Sequence, residues 1–367
     1  MTGYGKRRLL TGTAALAGMG ILQALARKTD GFGEWYATHI YPTLVGSVSR
    51  ILSPFPFSVV EFLLYGLILW LGACLIRHIR NVMVGKETVC LAGWRIFTGL
   101  YCLVSVLFLI YTVTCGINYY RLPFSKVEGF ELNPSDNREL IALCMELRDA
   151  VNEEALLVSL DEEGKSVLVG DIDGQARQAM MGLGGIYGCL DGYYPKPKPL
   201  TVSKILAVQQ LCGIYSPFTI EANYNREMPP YNIPFTTCHE LSHLKGFMRE
   251  DEANFIAFLA CRNSDSPQFR YSGYLMAYVH ASNALYRNAG AETYQEVRNT
   301  LCDTAVKDLA ANNAYWDQYD TKVAEVANNM NDTYLRANSQ QDGVKSYGRM
   351  VDLLLADYRL RHQENGG

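Results

Sequence analysis

The sequence carries little charge, and the charge it carries is not basic. Charged residues make up 19% of the 367 residues, and the formal net charge is −4. A protein that binds nucleic acid through its phosphates needs a basic patch or stripe to neutralise them. This chain has no excess of cations with which to build one, so the sequence predicts no nucleic-acid partner.

Cysteine spacing excludes a second class of site. The chain has ten cysteines, but no two are separated by two residues, the spacing typical of cysteine zinc sites. Six of them follow residue 120. An even number permits disulfides outside the cytoplasm, although the apolar helical patterns around most of them favour buried thiols.

Charge is almost missing from three apolar runs in the first third of the chain. They read LLTGTAALAGMGILQALA at 9–26, FSVVEFLLYGLILWLGACLI at 57–76 and IFTGLYCLVSVLFLIYTVTCGI at 96–117. The last two have about the 20 residues that a membrane-spanning helix needs. The first follows the basic stretch GKRR, and Arg27 and Lys28 after it do not resemble a cleavage site, which favours a signal anchor. We therefore expect a membrane region over residues 1–119 with three transmembrane helices in a lipid bilayer.

Basic residues set the expected orientation of these helices. They precede the first run and populate the loop between the second and third: Lys6, Arg7, Arg8, Arg77, Arg80, Lys86 and Arg95. The longer loop between the first and second runs carries fewer. The positive-inside rule then predicts a multi-pass protein of the cell membrane with a cytoplasmic N-terminus and an extracytoplasmic domain over residues 120–367.

The fold class expected for the rest of the chain is mainly α (α+β), with a small β element. Helical patterns cover about 136–154, 273–288, 291–311 and 347–361. SPFTIEANYN, at 216–225, is rich in β-branched and aromatic residues, so it predicts a strand.

The stretch TTCHELSHLKGFMREDEANFIAFLAC, at 236–261, carries the most distinctive chemistry. Residues four apart lie on one face of a helix, so His239 and His243 can hold one zinc ion through their ring nitrogens. Glu240 lies about 100° round the helix from His239. It flanks the metal without being forced to bind it, which is where a general base must lie to take a proton from an activated water.

A third zinc ligand is needed, and Glu250 is the preferred candidate. In one continuous helix it would lie about 10.5 Å further along the axis than His243, too far to share the metal. The helix must therefore end between them, and Gly246 predicts a left-handed helix stop. A second helix that begins near 248 or 249 would turn Glu250 back towards the metal.

Three further residues of this stretch have alternative interpretations. Asp251 and Glu252 remain possible third ligands, although an acidic first turn favoured by the helix dipole explains them as well. Asn254 follows Glu250 by one turn, so it could support a ligand by a hydrogen bond or be a plain surface amide.

These residues resemble known families. HELSH followed by EDEAN resembles the gluzincin branch of zinc metallopeptidases, in which the glutamate of an ExxAN or ExxAD element on a second helix is the third zinc ligand. That resemblance implies Glu250 as the ligand and Asn254 as its supporting residue. Only six residues separate His243 from Glu250, fewer than in most gluzincins.

A wider resemblance covers most of the chain. SPFTIEANYN, PFTTCHELSHLKGFMREDEANFIAFLAC and NDTYLRANSQQDGVKSYGRMVDLLLADY resemble a bacterial membrane-protein family named domain of unknown function 3810, which is considered zincin-like. The resemblance implies a zincin-like metallopeptidase domain after the membrane helices, and no particular substrate.

Two functions fit the sequence. In the first, the protein is a membrane-anchored zinc metallopeptidase, in which zinc activates a water and Glu240 moves its proton to the leaving amine of a peptide or protein substrate. In the second, it is a non-catalytic zinc-bearing sensor or scaffold in the membrane. The presence of Glu240 favours catalysis, because a site that only binds metal needs no base.

Overall fold

The structure, a computed structural model, describes residues 3–133, 135–337 and 350–364. Its helices are α1 (Gly3–Lys28), α2 (Phe32–His39), α3 (Tyr41–Leu44), α4 (Arg50–Leu52), α5 (Val59–Met83), α6 (Val89–Thr114), α7 (Phe124–Val127), α8 (Asn137–Ala155), α9 (Ile172–Gly184), α10 (Lys204–Ala207), α11 (Asn232–Leu244), α12 (Glu250–Arg262), α13 (Pro267–Arg298), α14 (Asp303–Asp317), α15 (Lys322–Ala337) and α16 (Met350–Glu364). Its strands are β1 (Lys198–Pro199), β2 (Gly213–Ser216) and β3 (Glu221–Tyr224).

The described residues are mostly helical and contain one small sheet, as the sequence predicted. The strand order is β1-β3-β2, in which β2 and β3 form an antiparallel hairpin and β1 pairs parallel to β3. The predicted strand at 216–225 contains β3, but β2 begins earlier, at Gly213. β2 is therefore an edge strand, and no strand among the described residues pairs with its outer side.

Three helices among the described residues are long and apolar enough to cross a membrane: residues 5–28 of α1, α5 and α6. Their apolar side chains face outward, as Leu69 (73% exposed) and Ile76 (67% exposed) show on α5. The third helix lies earlier than the predicted 96–117. It begins at Val89 because the Thr88 side chain caps it by accepting from the backbone N–H of Leu91.

The described residues outside α1, α5 and α6, which we call the extramembrane part, pack around one main hydrophobic core and a second, small cluster of Tyr224, Met228 and Ile233. α12 lies at the centre of the main core, and every residue from 252 to 261 is buried. Tyr36, Tyr41 and Ile117 belong to the same core. A fragment that began at residue 120 would therefore lack part of the core, and the division at that residue stays a prediction.

One predicted helix is wrong. The sequence pattern extends from 291 to 311, but α13 ends at Arg298 and α14 begins at Asp303. Between these two helices, the side chain of Asn152 on α8 forms hydrogen bonds with two backbone groups. It accepts from Cys302 N–H at 2.7 Å and donates to the Thr300 carbonyl at 2.8 Å. The helix predicted at 347–361 corresponds to α16, and residues 347–349 lie outside the described residues.

Candidate metal site

A tight turn between α11 and α12 decides where the site forms. α11 ends at Leu244, Gly246 has a φ of +88°, and α12 begins at Glu250. The predicted glycine stop is thereby confirmed. A side chain at this position would be strained by the positive φ, and its β-carbon would lie 3.3 Å from Asn118 Nδ2.

The turn brings the three predicted ligands together. His239 Nε2 lies 3.1 Å from Glu250 Oε2, and His243 Nε2 lies 3.7 Å from Glu250 Oε1. One potential ligand atom from each residue lies within 4.8 Å of the other two, and no second such group of three is found in the described part of the chain. Tetrahedral zinc with bonds of about 2.0–2.1 Å holds its ligand atoms about 3.4 Å apart. The side chains therefore fit a zinc ion after small adjustments.

Unpaired polar atoms also point to a group that the protein does not supply. His239 Nδ1, Glu240 Oε2 and Asn254 Nδ2 are buried and have no hydrogen-bond partner among the described residues. Buried polar atoms in proteins are nearly always paired. Three unpaired atoms on neighbouring residues of α11 and α12 are typical of a site completed by a ligand or water.

His243 is oriented by the turn itself. Its Nδ1 lies 2.8 Å from the Phe247 carbonyl oxygen, which holds Nε2 towards Glu250. A backbone carbonyl that receives the second ring N–H is a common support for a metal-binding histidine. This contact could not be predicted from the sequence, because a backbone carbonyl is present at every residue.

Glu240 lies in a closed space beneath the edge strand. It is 4% exposed, and a β-carbon at Gly213 would come within 2.4 Å of its Oε1. Sequence analysis missed Gly213, although a glycine inside a strand is a known sign of close approach by another group.

The charges of the site balance one another. Burial would lower the pKa of His243, but the Glu250 carboxylate beside it raises that pKa to about 9. Burial would raise the pKa of Glu250, but the two histidines hold the pKa of its carboxyl well below the usual range. Without a metal, Glu250 is therefore an anion paired with a protonated His243, and a metal ion bound here would take the place of the His243 proton.

Comparison with known proteins places the chain in a family. The family model described as "Protein of unknown function (DUF3810)" matches residues 36–355. The chain belongs to the DUF3810 family. No curated protein and no solved structure matches the chain. The DUF3810 match includes α5, α6 and the whole candidate site, so these two apolar helices and the site occur within one family unit, whereas α1 precedes it.

The other acidic residues of α12 are placed differently in this DUF3810 chain. Glu252 Oε1 accepts from Phe124 N–H at 3.1 Å and lies 3.3 Å from Arg249 Nη1. Neither Glu252 nor Asp251 belongs to the group of potential ligands in the described residues. Asn254 is buried on α12, but its amide nitrogen donates to no described residue, so its supporting role stays a prediction.

The outer edge of β2 passes beside Glu240. Asn225 N–H donates to the Cys212 carbonyl at 2.8 Å, so Cys212 and Asn225 form a hydrogen-bonded pair of the hairpin. Hydrogen-bonded and non-hydrogen-bonded pairs alternate along antiparallel strands. The backbone groups of Gly213 and Tyr215 then point away from β3. The Tyr215 backbone lies close enough to Glu240 to lower its pKa, but burial is the larger effect and raises that pKa to about 7.

Proposed function

We propose that this DUF3810 protein is a membrane-anchored zinc metallopeptidase with a zincin-like fold. The observation that carries the proposal is the convergence of His239, His243 and Glu250 from two helices, with the buried Glu240 beside them. Ligands and base come from one helix–turn–helix unit, and an edge strand lies next to the base.

His239, His243 and Glu250 would hold the metal. A zinc ion bound there supplies a Lewis acid, which lowers the pKa of water and polarises a carbonyl group. Two neutral imidazoles and one carboxylate leave a net positive charge at the centre, which favours a developing oxyanion.

Glu240 is the proposed general base. Burial raises its pKa to about 7, and a base is most effective when its pKa lies near the working pH. Its Oε2 has no hydrogen-bond partner in the described part of the chain, so that oxygen is available to take a proton from water and pass it to the leaving amine.

The edge strand β2 gives the peptide a place to bind. An extended peptide can add to an exposed sheet edge through main-chain hydrogen bonds. On β2 these would be formed by the outward-pointing backbone groups of Gly213 and by the Tyr215 carbonyl, because the Tyr215 N–H is directed at Glu240. Such a peptide lies directly beside Glu240, which supports a peptide or protein as the substrate.

The three apolar helices support a membrane location. The basic residues near the start of α1 and between α5 and α6 support a cytoplasmic N-terminus. Because α6 would then lead out of the cytoplasm, the site after it would lie on the extracytoplasmic side.

The test uses the full-length protein purified in detergent. Metal content is measured in the wild type and in a His239→Ala, His243→Ala variant, with His39→Ala, an exposed histidine on α2, as the control. We expect about one zinc per chain in the wild type and the control, and none in the double variant. Absence of bound metal in the wild type after zinc is supplied would refute the proposal.

A second measurement separates a peptidase from a sensor. The wild type and Glu240→Gln are incubated with a peptide library, and new termini are identified by mass spectrometry. We expect cleavage by the wild type alone, with zinc bound to both. Zinc in both proteins and cleavage by neither would favour a zinc-bearing sensor or scaffold instead.

A further inference from the structure

The candidate site is built on the end of a membrane helix. α6 ends at Thr114, and the residues that follow enter the hydrophobic core at once, as the fully buried Ile117 shows. No linker separates this helix from the extramembrane part. The location of the site relative to the membrane boundary is therefore fixed by packing.

Tyr215 connects the edge strand to that boundary. Its hydroxyl donates to the Thr114 carbonyl at 3.1 Å and lies 2.8 Å from the Tyr41 hydroxyl. Two residues earlier on the same strand, Gly213 lies against Glu240. Two strand residues, one tyrosine side chain and a hydrogen bond span at most about 17 Å, which bounds the distance from Gly213 to the end of α6, and the contact of Gly213 with Glu240 adds a few ångströms.

The metal-site turn makes a second connection. Met248 Sδ lies 3.6 Å from Cys115 Sγ, on the residue directly after α6. Arg121 donates to the Lys245 carbonyl at 3.0 Å, and its guanidinium lies 3.7 Å from the centre of the Phe247 ring. The turn that orients His243 thus packs against residues 115–121.

A different membrane helix holds the sheet. Glu221 on β3 accepts from the backbone N–H groups of Val59 and Val60, at 3.2 and 2.9 Å, in the first turn of α5. Glu221 is paired in register with Ser216 on β2. The strand that lies beside Glu240 is therefore fixed to α5 at one end and to α6 through Tyr215.

Exposed apolar side chains mark the membrane level next to these contacts. Phe55 and Phe57, just before α5, are 44% and 37% exposed, and Trp35 on α2 is 48% exposed. Tryptophan collects at the membrane–water interface, and exposed phenylalanines are among the side chains that interfacial segments bury there. They lie on the segments that lead out of α1 and into α5, which places this side of the extramembrane part at the headgroup level.

We propose that the substrates are membrane-anchored polypeptides, cleaved within about ten residues of their anchor. The inference rests on the proposed peptidase function and specifies its substrate class. An extended chain covers 3.3–3.6 Å per residue, so about five residues bridge the distance from the bilayer to Glu240. An anchor also holds the cleavable segment at a high effective concentration beside the site. The reaction is hydrolysis, in which water adds across the C–N bond and leaves a new carboxylate and a new amine.

The new amine makes the inference testable in cells. N-terminal peptides are quantified from both the membranes and the soluble fractions of the native host that carries either the wild type or Glu240→Gln at equal abundance. We expect termini that depend on Glu240, enriched in proteins with a membrane anchor and located within about ten residues of it. Glu240-dependent termini in soluble proteins, or far from any anchor, would overturn the inference and leave the peptidase intact. Absence of such termini would count against both.

A substrate found in this way can then show whether the cleavage site is chosen by its distance from the membrane or by its amino-acid sequence. The protein and the substrate are reconstituted in vesicles, and a Gly/Ser segment of about ten residues is inserted between anchor and cleavage site. We expect the cleaved bond to shift and stay near the membrane, or cleavage to fall at least about tenfold. Cleavage at the original bond with an unchanged rate would overturn the inference. So would equal cleavage of the same substrate released from its anchor.

Discussion

Glu240 and Gly213 lie so close together that a β-carbon on Gly213 would come within 2.4 Å of Glu240 Oε1. The two residues are 27 positions apart in the sequence and come from different elements, α11 and β2. Their contact links the proposed base to the proposed peptide-binding edge. A substitution of Gly213 should therefore alter the catalysis that Glu240 supports.

Gly213→Ala should reduce catalysis without removing zinc. The added methyl forces the Glu240 carboxylate to move, and a shift of about 1 Å in a catalytic group can cost about 100-fold. We expect a fall in kcat of at least about tenfold and unchanged zinc content. Gly182→Ala is the control, because a β-carbon there meets no atom within 4 Å. Equal activity of both variants would show that the Gly213 contact does not position the base.

Glu250→Gln should abolish tight zinc binding, whereas Glu252→Gln should not. Glu250 faces both histidines, and a neutral amide is a poor zinc ligand compared with a carboxylate. Glu252 instead accepts from Phe124 N–H, a hydrogen bond that an amide oxygen can keep. Zinc affinity of the two purified variants is compared by competition with a fluorescent chelator. Loss of zinc from Glu252→Gln alone would identify Glu252 as the ligand.

Removal of the metal should lower thermal stability, by an amount that grows with the logarithm of the zinc affinity. A ligand at about 100 times its Kd stabilises the folded state by about 2.7 kcal/mol. We expect a chelator to lower the melting temperature of the wild type by several degrees, and to leave that of the His239→Ala, His243→Ala variant unchanged. The same shift in both proteins would mean that the chelator acts elsewhere.

Local patterns in the sequence predicted the His239, His243 and Glu250 group that the structure brings together, because its determinants are short-range. The His239–His243 spacing, the stop at Gly246 and the acidic start of α12 lie within twelve residues, where helix geometry alone restricts the possible arrangements. The apolar membrane helices were predictable for the same reason, since their length and composition are properties of continuous segments.

The rest depends on contacts between distant residues. The contact of Gly213 with Glu240 and the hydrogen bond from Tyr215 to Thr114 exist only once the chain has folded. The break between α13 and α14 has the same origin, because Asn152 on α8 satisfies its backbone groups. Periodicity within 291–311 contains no information about a residue almost 150 positions away, so the sequence pattern predicted an uninterrupted helix.

The ion pair between Lys198 and Glu221 gives the last prediction, on how the sheet is held at the membrane. Lys198 Nζ lies 2.6 Å from Glu221 Oε1 and also donates to the Leu52 carbonyl at 2.8 Å. Both side chains are almost fully buried. Removal of one partner from a buried pair leaves an uncompensated charge and costs about 3–5 kcal/mol. Glu221→Gln should therefore destabilise the protein strongly, whereas Lys198→Met with Glu221→Gln should recover part of the loss. Unfolding in detergent can be followed with a thiol-reactive dye, because Cys144, Cys238 and Cys261 are fully buried. A double variant no more stable than Glu221→Gln would show that the backbone N–H groups of α5, and not Lys198, are the main partners of Glu221.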